Sequence, residues 1–173
     1  MRAIVIGAGM GGLFAALSLR ESGVFTAVDV YEQTKKPSTA GAGLNIAPNG
    51  ARLCRWLGVD LDGGDPKSLH GAIEGGRAAI LQSTRQVMPD NSLSERPIDH
   101  NTKLGDGAGF HHMHRLDLLT CLHQRVAHFS AAPGVRCPIT VHMGKRLAGL
   151  AQTRDSVTCQ AGRGVRSQRR HVC

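Results

Sequence analysis

Six residues near the start of the chain, Gly7-Ala8-Gly9-Met10-Gly11-Gly12, restrict the fold more than anything that follows. They place glycines at Gly7, Gly9 and Gly12 in the order G-x-G-x-x-G. The pattern alone is common, so its context decides. Residues 3–6 form a short apolar run rich in β-branched side chains, the signature of a buried parallel strand. From Met10 to Ser22 apolar residues recur at helical spacing (Leu13, Ala16, Leu17, Leu19), and Gly23 stands where a helix is capped. A second strand is predicted over residues 26–31, ending at Glu32. Strand, glycine turn, helix, strand is a βαβ unit. The fold class is therefore α/β, with a parallel sheet and a right-handed crossover.

Each glycine has a physical task. The first allows the tight turn, the second lets backbone approach a pyrophosphate, and the third lets the helix lie close to the strand. The helix N-terminus then points unpaired N–H groups and its positive dipole end at the phosphates. Glu32, 20 residues after Gly12, ends the second strand where a carboxylate can accept hydrogen bonds from a ribose diol. A carboxylate there repels a 2′-phosphate, so the expected dinucleotide is FAD or NAD. The competing reading is a glycine-rich turn before an ordinary helix, with Glu32 a solvated charge.

Further along, residues 34–43 read as a polar, glycine-rich loop and residues 48–57 as a helix. Possible strands lie at 72–73 and 78–82, separated by Gly75-Gly76, and residues 89–109 read as loop. Leu116, Leu119, Leu122, Val126 and Phe129 predict a helix over 114–129. Residues 139–143, 146–150 and 156–159 are candidate strands.

Composition excludes several classes. The formal charge of +8 is scattered and gathers mainly in the tail, where Arg163, Arg166, Arg169 and Arg170 follow Asp155, so no nucleic-acid stripe forms. Five cysteines, Cys54, Cys121, Cys137, Cys159 and Cys173, are odd in number and contain no C-x-x-C pair, which points to free thiols in a reducing, cytoplasmic compartment. No apolar run is long enough for a membrane span. His111, His112 and His114 crowd together without a nearby cysteine or a matched carboxylate, so no metal site is expected.

Three ordered blocks carry a resemblance. The glycine fingerprint is the first. Gly41-Ala42-Gly43-Leu44-Asn45-Ile46-Ala47-Pro48-Asn49-Gly50, followed by Trp56-Leu57-Gly58, is the second, and His114-Arg115-Leu116-Asp117-Leu118 is the third. Together they resemble the FAD-dependent aromatic-ring hydroxylases of the salicylate and para-hydroxybenzoate hydroxylase type. The resemblance implies a Rossmann-like FAD-binding parallel sheet with the start of a second, incomplete substrate domain. It implies FAD as cofactor, with Gly7, Gly9, Gly12 and Glu32 on its ADP half, backbone at Gly41, Ala42 and Gly43 passing beside the flavin ring, and Arg115 in contact with FAD. It also implies NAD(P)H as reductant, O₂ as oxidant and a small aromatic substrate. A surface ion pair with Asp117 or Glu95 is the other reading of Arg115. Asn45 falls in a block that borders the family's substrate cavity, and a turn or capping role explains it equally. No catalytic residue is assigned, because in this family the cofactor carries the chemistry.

The likeness extends to about Cys159. Members of the family are more than twice as long, and their later G-D segment has no counterpart here, while residues 161–170 look like an altered copy of their D-G segment, with Arg163 in place of the aspartate. The expected organisation is residues 1–160 as a partial FAD-binding domain with the beginning of the substrate region, and residues 161–173 as a divergent basic tail. The alternatives are a non-catalytic remnant that binds nucleotide weakly or not at all, and an NAD-dependent dehydrogenase or reductase. The latter should offer a tyrosine and lysine, or a histidine and aspartate pair, for proton transfer, and the single tyrosine, Tyr31, sits in the fingerprint strand. A truncated sheet exposes apolar surface. The purified chain is accordingly expected to be aggregation-prone or largely flavin-free, with no substrate-dependent NAD(P)H oxidation on phenolic acids. An absorption spectrum from the near-UV to the blue checks this; a yellow monomer that hydroxylates salicylate contradicts it.

Overall fold

The computed structural model describes residues 1–36, 42–59, 61, 79–80, 83–84, 87–94, 98–99, 109–130 and 134–162. Its elements are β1 (Arg2–Ile6), α1 (Met10–Glu21), β2 (Ala27–Tyr31), β3 (Gly43–Ile46), α2 (Pro48–Trp56), β4 (Ala79–Ile80), β5 (Ser83–Thr84), β6 (Ile98–Asp99), β7 (His111–His114), α3 (Arg115–His128), β8 (Ile139–His142), β9 (Leu147–Gln152) and β10 (Val157–Ala161). The chain divides into two compact units, one of Met1–Ala40 with Leu119–Cys173, the other of Gly41–Leu118.

In the first unit, β1, β2 and β8 form a parallel sheet in the order β1-β2-β8. Central β2 is buried at Ala27, Val28, Asp29 and Val30, as expected for a strand covered on both faces. Helix α1 packs on the sheet through Leu13, Ala16 and Leu17, all fully buried. Burying a leucine or valine of this kind stabilises by about 1.5–3 kcal/mol. The helix stops where the sequence predicts: Gly23 takes φ +71°, its N–H bonds Arg20 O at 3.3 Å, and the Ser22 hydroxyl bonds Leu19 O at 2.6 Å. The predicted strands at 146–150 and 156–159 pair as an antiparallel hairpin, β9 with β10.

In the second unit, β3 and β4 flank β7 antiparallel, and two-residue β5 pairs with β6. Helix α2 begins with Pro48 in its first turn and buries Ala51 and Cys54. Here the sequence reading needs correction. Gly43 opens a strand rather than closing a loop, and His114 ends a strand rather than starting a helix. Residues 98–99, read as loop, are paired. The possible strand at 72–73 and the Gly75-Gly76 turn lie outside the described residues. Among the described residues no helix is long and apolar enough to cross a membrane.

One polar group sits deep in the parallel sheet. Alternation turns Val28 and Val30 to one face and Asp29 to the other. Asp29 is only 1% exposed, and its carboxylate accepts from Arg2 Nη2 at 2.6 Å and from His142 Nε2 at 2.9 Å, so one side chain ties all three strands together. His142 also stacks on Tyr31, with centroids 4.6 Å apart. Burial pushes the Asp29 carboxyl up, but the bonds from His142 and Arg2 outweigh it and hold it below the ordinary value of 3.8. A depressed folded-state value means the ionised form is favoured by folding. That contribution is complete above pH 3.8 and is lost as pH falls through the lower folded-state value. Asp29→Asn should cost about 1–3 kcal/mol by leaving buried donors without their anion. It should also flatten the acid limb of a urea-midpoint profile recorded from pH 5 downward; an unchanged acid limb would place the acid-sensitive group elsewhere.

Candidate functional site

The glycine loop between β1 and α1 has three different reasons for its three glycines. Gly7 takes φ +98°, which a side chain rarely tolerates, and its N–H bonds Tyr31 O at 2.7 Å. Gly12 is needed for space: a Cβ there would overlap the Gly7 carbonyl oxygen and lie 2.9 Å from its carbon and 3.5 Å from Val5 Cγ1. Gly9 is neither strained nor crowded. It precedes α1 in extended conformation, and a Cβ on it would meet nothing within 4 Å. Nothing among the described residues requires a glycine at this position. The helix it introduces has no side-chain cap and no acidic residue in its first turn, so the positive end of α1 is not neutralised by its own side chains.

Glu32 follows the last residue of β2 and meets this loop. Its Oε2 accepts the Ala8 N–H at 2.8 Å, and its Oε1 accepts the Thr34 N–H at 2.8 Å and the Thr34 hydroxyl at 2.9 Å. The amides of Thr34 and Ala8 lower its pKa, so it is a carboxylate at neutral pH. Its backbone is fixed from the other side, since Glu32 N donates to His142 O at 3.0 Å and Lys145 N donates to Glu32 O at 2.7 Å. His123 on α3 lies within the field of Glu32, but burial dominates and lowers its pKa.

A cavity of about 230 Å³ opens at this point, lined by Ile6, Gly7, Tyr31, Glu32, Gln33, Lys145, Arg146 and Leu147. It lies at the carboxyl ends of β1 and β2, where ligands of open parallel sheets bind. Of the residues expected from sequence, Gly7, Gly9, Gly12 and Glu32 are thus brought together. Thr34, Lys145 and Arg146 were not foreseen. Thr34 carries no motif, and the β8–β9 turn reaches the site only through pairing across more than a hundred residues.

The remaining expected residues belong to the second unit. Gly41 lies outside the described residues. The Arg115 N–H donates to Ala42 O at 3.0 Å, and Gly43 pairs in register with His114, so the second and third blocks of the sequence meet through β3 and β7. Asn45 faces His112 across the same pair, with Oδ1 2.6 Å from Nδ1. That contact was missed as well. The three histidines do not gather: strand alternation buries His111 and leaves His112 and His114 exposed. Among the described residues no group of three His, Cys, Asp or Glu is arranged to hold a metal.

No family model matches the chain. In sequence it is similar to the FAD-dependent urate hydroxylase of Klebsiella pneumoniae subsp. pneumoniae, 48% identical over 59 residues, 34% of this chain and 15% of that protein. It is also similar to the 3-amino-4-hydroxybenzoate 2-monooxygenase of Streptomyces cremeus, 33% identical over 122 residues, 70% of this chain and 28% of that protein. In structure it matches p-nitrophenol 4-monooxygenase from Pseudomonas putida DLL-E4 with a TM-score of 0.68 at 18% identity, over 92% of this chain and 35% of that one. The chain therefore has the fold of the flavin hydroxylases, and it spans less than a third of the length of either of these two relatives.

The two glycines that frame the helix start should separate in their effects. Gly12→Ala forces α1 away from β1 and should destabilise by about 1–3 kcal/mol, the usual cost of overpacking. Gly9→Val replaces the N-cap of α1 and should cost about 1 kcal/mol of unfolding free energy, since nothing crowds its Cβ, yet abolish dinucleotide binding. Equal nucleotide affinity in Gly9→Val would remove Gly9 from the site.

Proposed function

We propose, from the chain's relationship to FAD-dependent aromatic-ring hydroxylases, that it binds FAD and provides the dinucleotide-binding part of an aromatic monooxygenase. The observation that carries this reading is the Glu32 carboxylate held against the glycine loop beside a cavity at the ends of β1 and β2. A carboxylate offers about four lone-pair sites. Thr34 donates twice to Oε1, Ala8 donates once to Oε2 and the Gln33 amide also stabilises the carboxylate, which leaves a lone-pair site for a ribose hydroxyl. Space at Gly9 and the uncapped start of α1 suit the pyrophosphate. The residues present therefore fit the ADP half of FAD.

Gly41, Ala42, Gly43 and Arg115 are assigned to the flavin half. In support, Ala42 and Arg115 are joined by a backbone hydrogen bond. When bound, FAD accepts electrons from NAD(P)H and activates O₂ for insertion of one oxygen atom into an aromatic ring. The protein binds and orients, as expected where a cofactor carries the reaction. Residues 1–160 are assigned to the FAD-binding part with the beginning of the substrate region, and 161–173 to a basic tail. Cys54, Cys121, Cys137 and Cys159 are free thiols, in keeping with a cytoplasmic setting.

Glu32→Ala tests the assignment. Loss of charge-assisted hydrogen bonds to the ribose should weaken FAD by about 1.5–3 kcal/mol, roughly ten- to a hundredfold in Kd, read by titration of flavin fluorescence. An unchanged Kd would leave Glu32 only the task of bracing the loop.

A further inference from the structure

His142 meets the wall of the nucleotide cavity twice. Through its backbone it pairs in register with Tyr31, and its carbonyl oxygen accepts the Glu32 N–H at 3.0 Å. Through its ring it stacks on Tyr31, with centroids 4.6 Å apart and planes 14° from parallel. Tyr31 and Glu32 both line the cavity, together with Lys145 and Arg146 of the β8–β9 turn. The far side of the imidazole is anchored in the sheet. His142 Nε2 lies 2.9 Å from Oδ1 of Asp29, whose side chain is 2% exposed, and Arg2 Nη2 holds Oδ2 of the same carboxylate at 2.6 Å.

An ionised carboxylate only accepts, so Nε2 keeps its hydrogen whether the ring is neutral or charged. The proton that an imidazole gains or loses near neutral pH is therefore, at His142, the one on Nδ1. With that proton the group of Arg2, Asp29 and His142 carries one net positive charge, and without it the group is neutral. A cation over an aromatic face is attracted by the ring's electron density, an attraction that a neutral imidazole largely lacks. Titration of His142 thus changes how firmly Tyr31 is held, and adds or removes a charge beside the cavity. The charged groups that face it are Asp29 of β2, Arg2 of β1 and, at the cavity, Glu32, Lys145 and Arg146. The carboxyls of Asp29 and Glu32 both lie below their ordinary values, so neither changes charge over the range in which an imidazole does.

We propose that His142 is a proton-linked positioning residue of the nucleotide site: the imidazolium holds Tyr31 in the cavity wall and favours an anionic dinucleotide, and the neutral ring does so less well. The identity of the dinucleotide rests on the FAD reading above; the coupling of His142 to Tyr31 does not. The protonated ring is the form that bound dinucleotide favours, so affinity is full below the imidazole titration and declines as pH rises through it. By reciprocity, FAD raises the pH at which His142 releases its proton, by the same factor.

Titration of flavin fluorescence on the full chain, from about pH 5.5 to about pH 8.5, spans the imidazole range and tests the link. FAD suits this because its bridging pyrophosphate lacks the second ionisation that a terminal phosphate shows near about pH 6. The Kd should rise about two- to fivefold across the range, the worth of a cation over an exposed aromatic face. His142→Gln still donates to Asp29 but cannot change charge, and should flatten the profile. Tyr31→Phe keeps the stack and should keep the slope, as should His123→Gln, which removes the imidazole near Glu32 on α3. Tyr31 is the single tyrosine of the chain, so its ring NMR signals report the wall directly, even where His142→Gln fails to fold. They should titrate with the His142 midpoint in the cofactor-free chain, and that midpoint should rise when FAD binds. An FAD affinity flat with pH, a slope unchanged in His142→Gln, or a Tyr31 ring blind to the His142 titration would overturn the link and spare the FAD assignment. A chain that ignores FAD at every pH while Tyr31 still follows His142 would overturn that assignment and keep the coupling to the cavity wall.

Discussion

Everything at the front of this molecule depends on how closely α1 lies on β1. The contact of Gly12 with the Gly7 carbonyl brings helix backbone against the backbone leaving β1 with no side chain between. From that closeness follow the sharp turn at Gly7, the aim of the helix start, and the position of the Ala8 N–H within reach of Glu32. A Cβ at one position would shift all three. The site is thus built mainly of backbone, and the side chain that completes it, Glu32, is itself held by backbone donors.

The sequence announced this part well because its signals are local. A strand, a glycine turn, a helix and a second strand follow one another within 32 residues, and each boundary carries its own mark in Gly7, Gly12, Gly23 and Glu32. The second unit was legible only in part. Strand β7 reads His-His-Met-His, without the β-branched residues that mark strands, and the apolar periodicity of α3 runs up to its edge. Strand β3 starts with a glycine and, among the described residues, pairs with residues some seventy positions away. Local propensity is weak evidence against such pairing, and here tertiary structure decided.

The site shows the same division. Gly7, Gly9, Gly12 and Glu32 form a pattern recognisable in a linear string. The contacts of His112 with Asn45 and of His114 with the Leu116 amide are encoded by no linear spacing. What the string did hold was the crowding of three histidines. Alternation along a strand buries one of them and exposes the other two.

The bond from His142 to Asp29 joins residues 113 positions apart, and β8 completes the sheet only when that distance is closed. Such closure is entropically expensive and slow compared with the local βαβ unit. The turn that braces the Glu32 backbone arrives with β8, so the cavity beside the glycine loop is complete only once that long closure is made. Residues 41–118 form a compact unit of their own inside that loop. Their collapse shortens the effective tether. Completion of the cavity is therefore tied to closing the chain across a separate unit, and its described lining comes from sequence on either side of that unit.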